Sequence, residues 1–143
     1  MAIMEKLKKD IGAIIEVVDS GEIHWLLGIE IHRSLHSRTI HLSQQSYIDA
    51  ILSQYGFLDT KPLTIPFDPH IHLTKDQCPT TVGDIAFMRD KPYREALGAL
   101  QYLSVATRLD ITYAVSILAR FSANPGITHW NTLKRVYAYL KYT

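Results

Sequence analysis

Tyr93-Arg94-Glu95-Ala96-Leu97-Gly98-Ala99-Leu100-Gln101-Tyr102-Leu103 decides the architecture. Ala96, Leu97, Leu100 and Leu103 return at helical spacing, so one apolar stripe runs along a helix predicted over 93–107. Toward the C terminus, Asp110 is placed to cap a second helix with Ala114, Ile117, Leu118 and Phe121 inward, and Asn124-Pro125-Gly126 stops it. Thr128 is placed to cap a third, with Trp130, Leu133, Tyr137 and Leu140 inward. Short connections between amphipathic helices predict a small three-helix bundle over 85–143. A core of about 55 residues is marginal alone, so the bundle is expected to lean on the first half or on neighbours.

Toward the N terminus the periodicity changes. Residues 59–84 hold Pro62, Pro66, Pro69 and Pro79 among polar residues and read as an extended, partly mobile linker. Before it, Tyr47, Ile48, Ile51, Leu52 and Tyr55 share a helix face, with Ser43 as the expected N-cap and Gly56 as the C′ stop. Ile23, Trp25, Leu27, Ile29 and Ile31 alternate with His24, Leu26, Gly28 and Glu30, the period of a strand with one buried face. Ser34–Ser37 turns the chain, and Thr39–Leu42 returns beside it. Met4, Leu7 and Ile11 predict an opening helix, and the β-branched run Ile14–Val18 a strand. The class is α+β, in three segments: 1–58, 59–84 and 85–143.

Charge is uneven along the chain. Residues 1–84 carry seven Lys/Arg against eleven Asp/Glu, and residues 85–143 eight against three. A basic C-terminal half points to a polyanion, although a solvated helix face gives the same count. One cysteine, Cys78, excludes an internal disulfide and fits a reducing compartment. No apolar run approaches the ~18 residues of a membrane span, and no signal-peptide pattern opens the chain. An intracellular protein, neither secreted nor membrane-bound, is expected. No P-loop, dinucleotide fingerprint or G-x-S-x-G occurs. His70 and His72 lack a third ligand for zinc, and no His is placed near Cys78 to activate it.

The order of motifs resembles that of copia-type retrotransposon reverse transcriptases. Gly21-Glu22-Ile23-His24-Trp25-Leu26-Leu27-Gly28-Ile29-Glu30-Ile31 resembles their G-E-hydrophobic-aromatic-F-L-G-I-E-I stretch. Ile40-His41-Leu42-Ser43-Gln44-Gln45-Ser46-Tyr47-Ile48 is similar to the I-x-L-S-Q-x-x-Y-I that follows it. Lys61-Pro62 and Thr64-Ile65-Pro66 sit where that family has K-P…T-P. Residues 93–103 resemble its Y-R-x-x-V-G-x-L-x-Y-L, and Thr107-Arg108-Leu109-Asp110-Ile111 its T-R-P-D-I. Tyr113-Ala114-Val115, His129-Trp130, Lys134-Arg135-Val136 and Tyr139-Leu140-Lys141 complete the series. Leu109 departs from the usual Pro, and Tyr142 from the usual Gly.

The resemblance implies the end of a polymerase palm, a primer-grip-like hairpin with its helix, and then a thumb-like three-helix bundle. It implies a chain that grips a primer–template duplex, RNA–DNA or DNA. Its partners would be the remaining palm, the fingers and the ribonuclease H part of a polyprotein. No Asp-Asp pair occurs in the sequence, whereas two-metal phosphoryl transfer needs clustered carboxylates. The chain alone is expected not to polymerise, with no catalytic residue, no metal ligand and no cofactor. Mg2+ is expected only in the complete polymerase, whose Y-x-D-D would lie upstream of Met1. The competing reading is a non-catalytic relic or co-opted helical module that binds protein.

Candidate contacts follow from both lines of reading. Trp25 and Gly28 lie in the primer-grip-like hairpin; a mid-strand glycine marks either a close backbone approach or a bulge. Arg94, Gly98, Gln101, Val105 and Arg108 share a face of the 93–107 helix. Its arginines suit phosphates, Gln101 minor-groove acceptors, and Tyr102 a sugar. Gly98 costs about 1 kcal/mol against Ala in an exposed helix, which argues for something coming close, a duplex or another helix. Lys134 adds a phosphate contact or lies on a solvated face. Strand edges left open make self-association an expectation.

Overall fold

The computed structural model describes residues 2–143. Among these residues it is an α+β fold of six helices and one small three-stranded antiparallel sheet. The chain divides at His41/Leu42 into two compact units. The composition-based boundaries at 58 and 84 do not coincide with that division.

In the first unit, α1 spans Ala2–Gly12. Ile14–Val18, expected as a strand, has no regular structure, and Ile14, Ile15, Val17 and Val18 are all exposed. A β-branched run needs a neighbouring strand to pair with, and none of the three strands of the sheet pairs with it. The alternating stretch is not one strand either. β1 (Trp25–Leu26) and β2 (Ile29–Ser34) are antiparallel, with Trp25 opposite Glu30 and Leu26 opposite Ile29. Leu27 and Gly28 form the turn, with φ of 51° and 76°, the paired positive φ of a type I′ hairpin. Ile31 N donates to His24 O at 2.8 Å, extending the ladder. Gly28 is therefore a turn residue, where its missing Cβ lets it adopt positive φ without strain. A four-residue turn leads from β2 to β3 (Thr39–Ser43), as the sequence predicts.

The second unit holds the core. α2 (Gln45–Gln54) buries Ile48, Ile51 and Leu52. Ser43 Oγ accepts from Gln45 N at 3.2 Å, but the capping position belongs to Gln44, whose side chain makes no cap bond. Gln44 is buried instead, its Oε1 accepting from Thr107 Oγ1 at 2.7 Å. The helix stops at Gly56 (φ 72°), with Phe57 N on Leu52 O at 2.8 Å and Gly56 N on Ser53 O at 3.2 Å. That is a Schellman motif, and Leu52 and Phe57 are both buried beside it.

Residues 59–84 are less extended than their prolines suggest. They include a 3-10 turn at Lys75–Gln77 and the start of α3 (Val82–Arg89), an added helix. Thr81 caps α3 by accepting from Asp84 N at 3.1 Å and donating to Asp84 Oδ2 at 2.8 Å. Phe67 and Leu73 pack on the core, Phe67 meeting Tyr113 edge to face. α4 (Tyr93–Ala106), α5 (Thr112–Ala119) and α6 (Ile127–Tyr142) form the bundle. Leu100, Leu103, Leu118, Leu133 and Leu140 at its centre are almost fully buried; truncating one to Ala costs about 2–5 kcal/mol.

Two buried tyrosines lock the helices together. Tyr93 OH donates to Leu118 O at 2.9 Å, and Tyr137 OH donates to Ala96 O at 2.8 Å. Desolvation raises both phenols, so they stay neutral donors. The capping roles of Asp110 and Thr128 do not hold. Asp110 lies inside a 3-10 turn, Leu109–Ile111. Thr128 lies inside α6, whose first turn is closed by His129 Nδ1 accepting from Gly126 N at 2.9 Å. No helix among the described residues is long and apolar enough to cross a membrane.

Candidate nucleic-acid interface

α4 turns one stripe into the core and leaves Arg94, Gly98, Gln101 and Val105 exposed along the opposite side. At Gly98 a Cβ would meet nothing within 4 Å. Of the two readings of Gly98, coverage by another helix is thus absent among the described residues, and the backbone there is open. Arg94 Nε donates to Ser122 O at 2.7 Å, which steadies the side chain while its terminal nitrogens have no partner among the described residues. The exposed Gln101 side-chain amide has no partner among the described residues. A duplex backbone could approach such a strip closely, with a cation at one end and an amide along it.

Arg108 does not belong to that strip. α4 ends at Ala106, and the chain turns away at Thr107. The Arg108 guanidinium grips Asp110 through two bonds of 3.0 and 2.8 Å, donates to Thr143 Oγ1, and lies 5.5 Å from the Tyr139 ring centre. Tyr139 OH closes the set by donating to Asp110 Oδ2 at 2.7 Å. The Arg108 bonds hold the Asp110 carboxyl below its ordinary value, and Asp110 in turn raises Arg108. The Arg108 Nε and Nη2 donors are thus engaged within the protein. Tyr102 is half-buried, its ring edge-to-face with Tyr47 at 5.3 Å, so it also has a packing role.

The other candidates lie elsewhere. Lys134 is half-buried on α6, beside Lys61, Asn131 and Arg135. Of these, Lys61 and Asn131 escaped sequence reasoning, because only folding brings residues 60–63 against α6. Trp25 is exposed on β1, two residues before the Leu27-Gly28 turn. Among the described residues no three His, Cys, Asp or Glu side chains cluster to hold a metal ion. These side chains do not fit a two-metal centre, and no phosphoryl-transfer step can be assigned to them.

The chain is 38% identical over 141 residues to the retrovirus-related Pol polyprotein from transposon TNT 1-94 of Nicotiana tabacum, covering 99% of this chain and 11% of that protein. The match is to a short stretch of a transposon polyprotein. The retrovirus-related Pol polyprotein from transposon RE1 of Arabidopsis thaliana is 38% identical over 129 residues, which are 87% of this chain and 8% of that polyprotein. An uncharacterized mitochondrial protein of the same plant is 35% identical over 125 residues, 87% of this chain and 48% of that protein. The chain thus spans less than half the length of each of these relatives. No family profile and no solved structure matches it.

Proposed function

We propose that the chain is the substrate-holding part of a copia-type reverse transcriptase, gripping a primer–template duplex through its backbone with little sequence preference. The observation that carries this reading is the uncovered Gly98 on α4, between Arg94 and Gln101. A glycine in an exposed helix interior is a stability loss of about 1 kcal/mol with no structural return, and close approach of a duplex supplies a reason for it. The basic balance of residues 85–143 supports the same reading. Within it, Arg108 is a positioning residue that shapes the end of α4, and Trp25 and Gly28 form the tip of a primer-grip hairpin.

The remaining palm, fingers and ribonuclease H parts are the proposed protein partners, and Mg2+ belongs to the complete polymerase. Exposed Ile3, Ile14, Val18, Trp25 and Leu27 in the first unit are apolar surface that such a partner would cover. Val105, 75% exposed on the α4 face, favours the second reading, a co-opted helical module that binds protein. Titrating the chain with an RNA–DNA hybrid over a range of salt separates the two. A duplex grip requires affinity that falls steeply with salt and weakens in Arg94→Ala and Gly98→Glu. Salt-independent binding, or none at low salt, would leave the protein-binding module.

A further inference from the structure

A notch of about 360 Å³ opens between residues 60–63 and α6, lined by Thr60, Lys61, Asn131, Lys134 and Arg135 with apolar Leu63 and Ala138. Three cations and two neutral hydrogen-bonding side chains face one concavity, and no carboxylate lines it. Its walls are fixed by the fold. Lys141 Nζ donates to Leu58 O and Thr60 O, and Leu63 N donates to Ala138 O at 3.1 Å, which straps residues 58–63 to α6. Such strapping holds Lys61 beside Lys134 and Arg135 although like charges repel.

The compensation of Arg135 is incomplete. Its Nη2 lies 3.8 Å from Asp68 Oδ2, longer than a hydrogen bond, and its buried Nε has no partner among the described residues. A guanidinium held this loosely can turn its donor edge toward an acceptor in the notch. Arginine offers a planar fork and lysine a point charge, the two side chains that most often bind phosphate. The Asn131 amide and Thr60 hydroxyl add neutral donors.

We infer that this notch is an anion site that seats one phosphate group. On the duplex-grip reading, on which this assignment of source rests, the phosphate belongs to the nucleic-acid backbone, and α6 holds the duplex at a second place besides α4. A free phosphate has the same chemistry and is the other source.

Titration of the full chain with inorganic phosphate, followed by 1H–15N NMR at the Arg135 Nε–H and Asn131 side-chain amide, tests the site. Both resonances should shift in the native chain and much less in Lys134→Gln; Asp68→Asn should tighten phosphate binding several-fold. In parallel, the slope of log affinity for an RNA–DNA hybrid against log salt should fall by about 1 in Lys134→Gln, the change that goes with neutralising one fewer phosphate. Shifts without a change in that slope support the anion site and make free phosphate its ligand. Shifts that chloride reproduces at equal ionic strength, or no shift with an unchanged slope, overturn the proposal. Arg94→Ala keeps the two readings apart: unchanged hybrid binding there sinks the α4 grip while a responding notch stands, and the reverse pattern sinks the notch alone.

Discussion

Gly126 and Gln77 are packed so closely that a Cβ on Gly126 would stand 1.8 Å from the Gln77 carbonyl oxygen. The glycine has φ of −97° and ψ of 179°, an extended conformation open to any residue, so the requirement is close approach alone. Its N–H is held by His129 Nδ1 at 2.9 Å, which closes the first turn of α6 where it meets the 3-10 turn at Lys75–Gln77. Gly126→Ala forces backbone to move on one side or the other, and overpacking of this kind costs about 3 kcal/mol. Urea unfolding should show a lower midpoint with an unchanged m-value.

The same junction carries a pH dependence. His129 is fully buried, stacked on Phe121 at 4.1 Å, and its Nε2 makes no well-formed hydrogen bond. Burial lowers its pKa below the ordinary value, and the nearby Thr74 backbone offsets only part of that. The unfolded chain then takes up the proton at a higher pH than the folded one. Stability from this group is complete above the unfolded value of about 6.5 and declines as pH falls through the lowered folded value. Thermal unfolding should shift to lower temperature as pH drops below about 6.5. His129→Asn keeps an acceptor for Gly126 N without titrating, and should flatten that part of the profile.

Arg108 offers a test of structure against binding. Its side chain is only 15% exposed and bonds Asp110 and Thr143. Arg108→Gln removes the charge-assisted bonds to Asp110 and the bond to Thr143, a loss of about 1–2 kcal/mol. A lowered melting temperature with an unchanged salt slope for hybrid binding is the expected result. A slope reduced by about 1 would return Arg108 to the phosphate-contacting set. Asp110 is lowered by its Arg108 bonds, so its contribution is complete above the usual carboxylate value of about 3.9 and declines as pH falls through the lowered folded value.

Several features were legible in the sequence because they depend on local spacing. The stripe Ala96, Leu97, Leu100 and Leu103 is buried as its periodicity requires, and Gly56 ends α2 with positive φ. The hairpin turn was hidden because a two-residue turn preserves alternation: Ile23, Trp25, Leu27, Ile29 and Ile31 keep the same parity across it. Leucine is also a poor marker for a turn needing positive φ. Arg108 was assigned to the α4 face by extending helical spacing past Thr107, where the helix has ended. Its partners Tyr139 and Thr143 lie on or beyond α6, and no local pattern links them. The α6 notch was invisible for the same reason, since Lys61 meets Lys134 only through the fold.

Leu27 stands at φ of 51°, a region that disfavours side chains with a Cβ. Relief of that strain is worth about 1 kcal/mol, and Asn-Gly is the preferred pair for a type I′ turn. Leu27→Asn should therefore sharpen the hairpin, read as larger cross-strand NMR contacts between Trp25 and Glu30 and slower amide exchange at Ile31. Unchanged exchange would mean that the leucine side chain makes up the strain by packing.

Gly98→Ala separates stability from function most cleanly. Gly98 is not among the residues with positive φ, and a Cβ there would meet nothing within 4 Å. In a helix interior with space around it, alanine is favoured over glycine by about 1 kcal/mol. The melting temperature should rise and the urea midpoint with it. If the open strip on α4 admits a duplex backbone, the added methyl holds that backbone away, and affinity for an RNA–DNA hybrid falls even as the protein becomes more stable. Gly98→Glu adds like-charge repulsion against phosphate and should weaken binding further. A chain that gains stability in Gly98→Ala and keeps its full hybrid affinity would show that the glycine serves no close approach to nucleic acid.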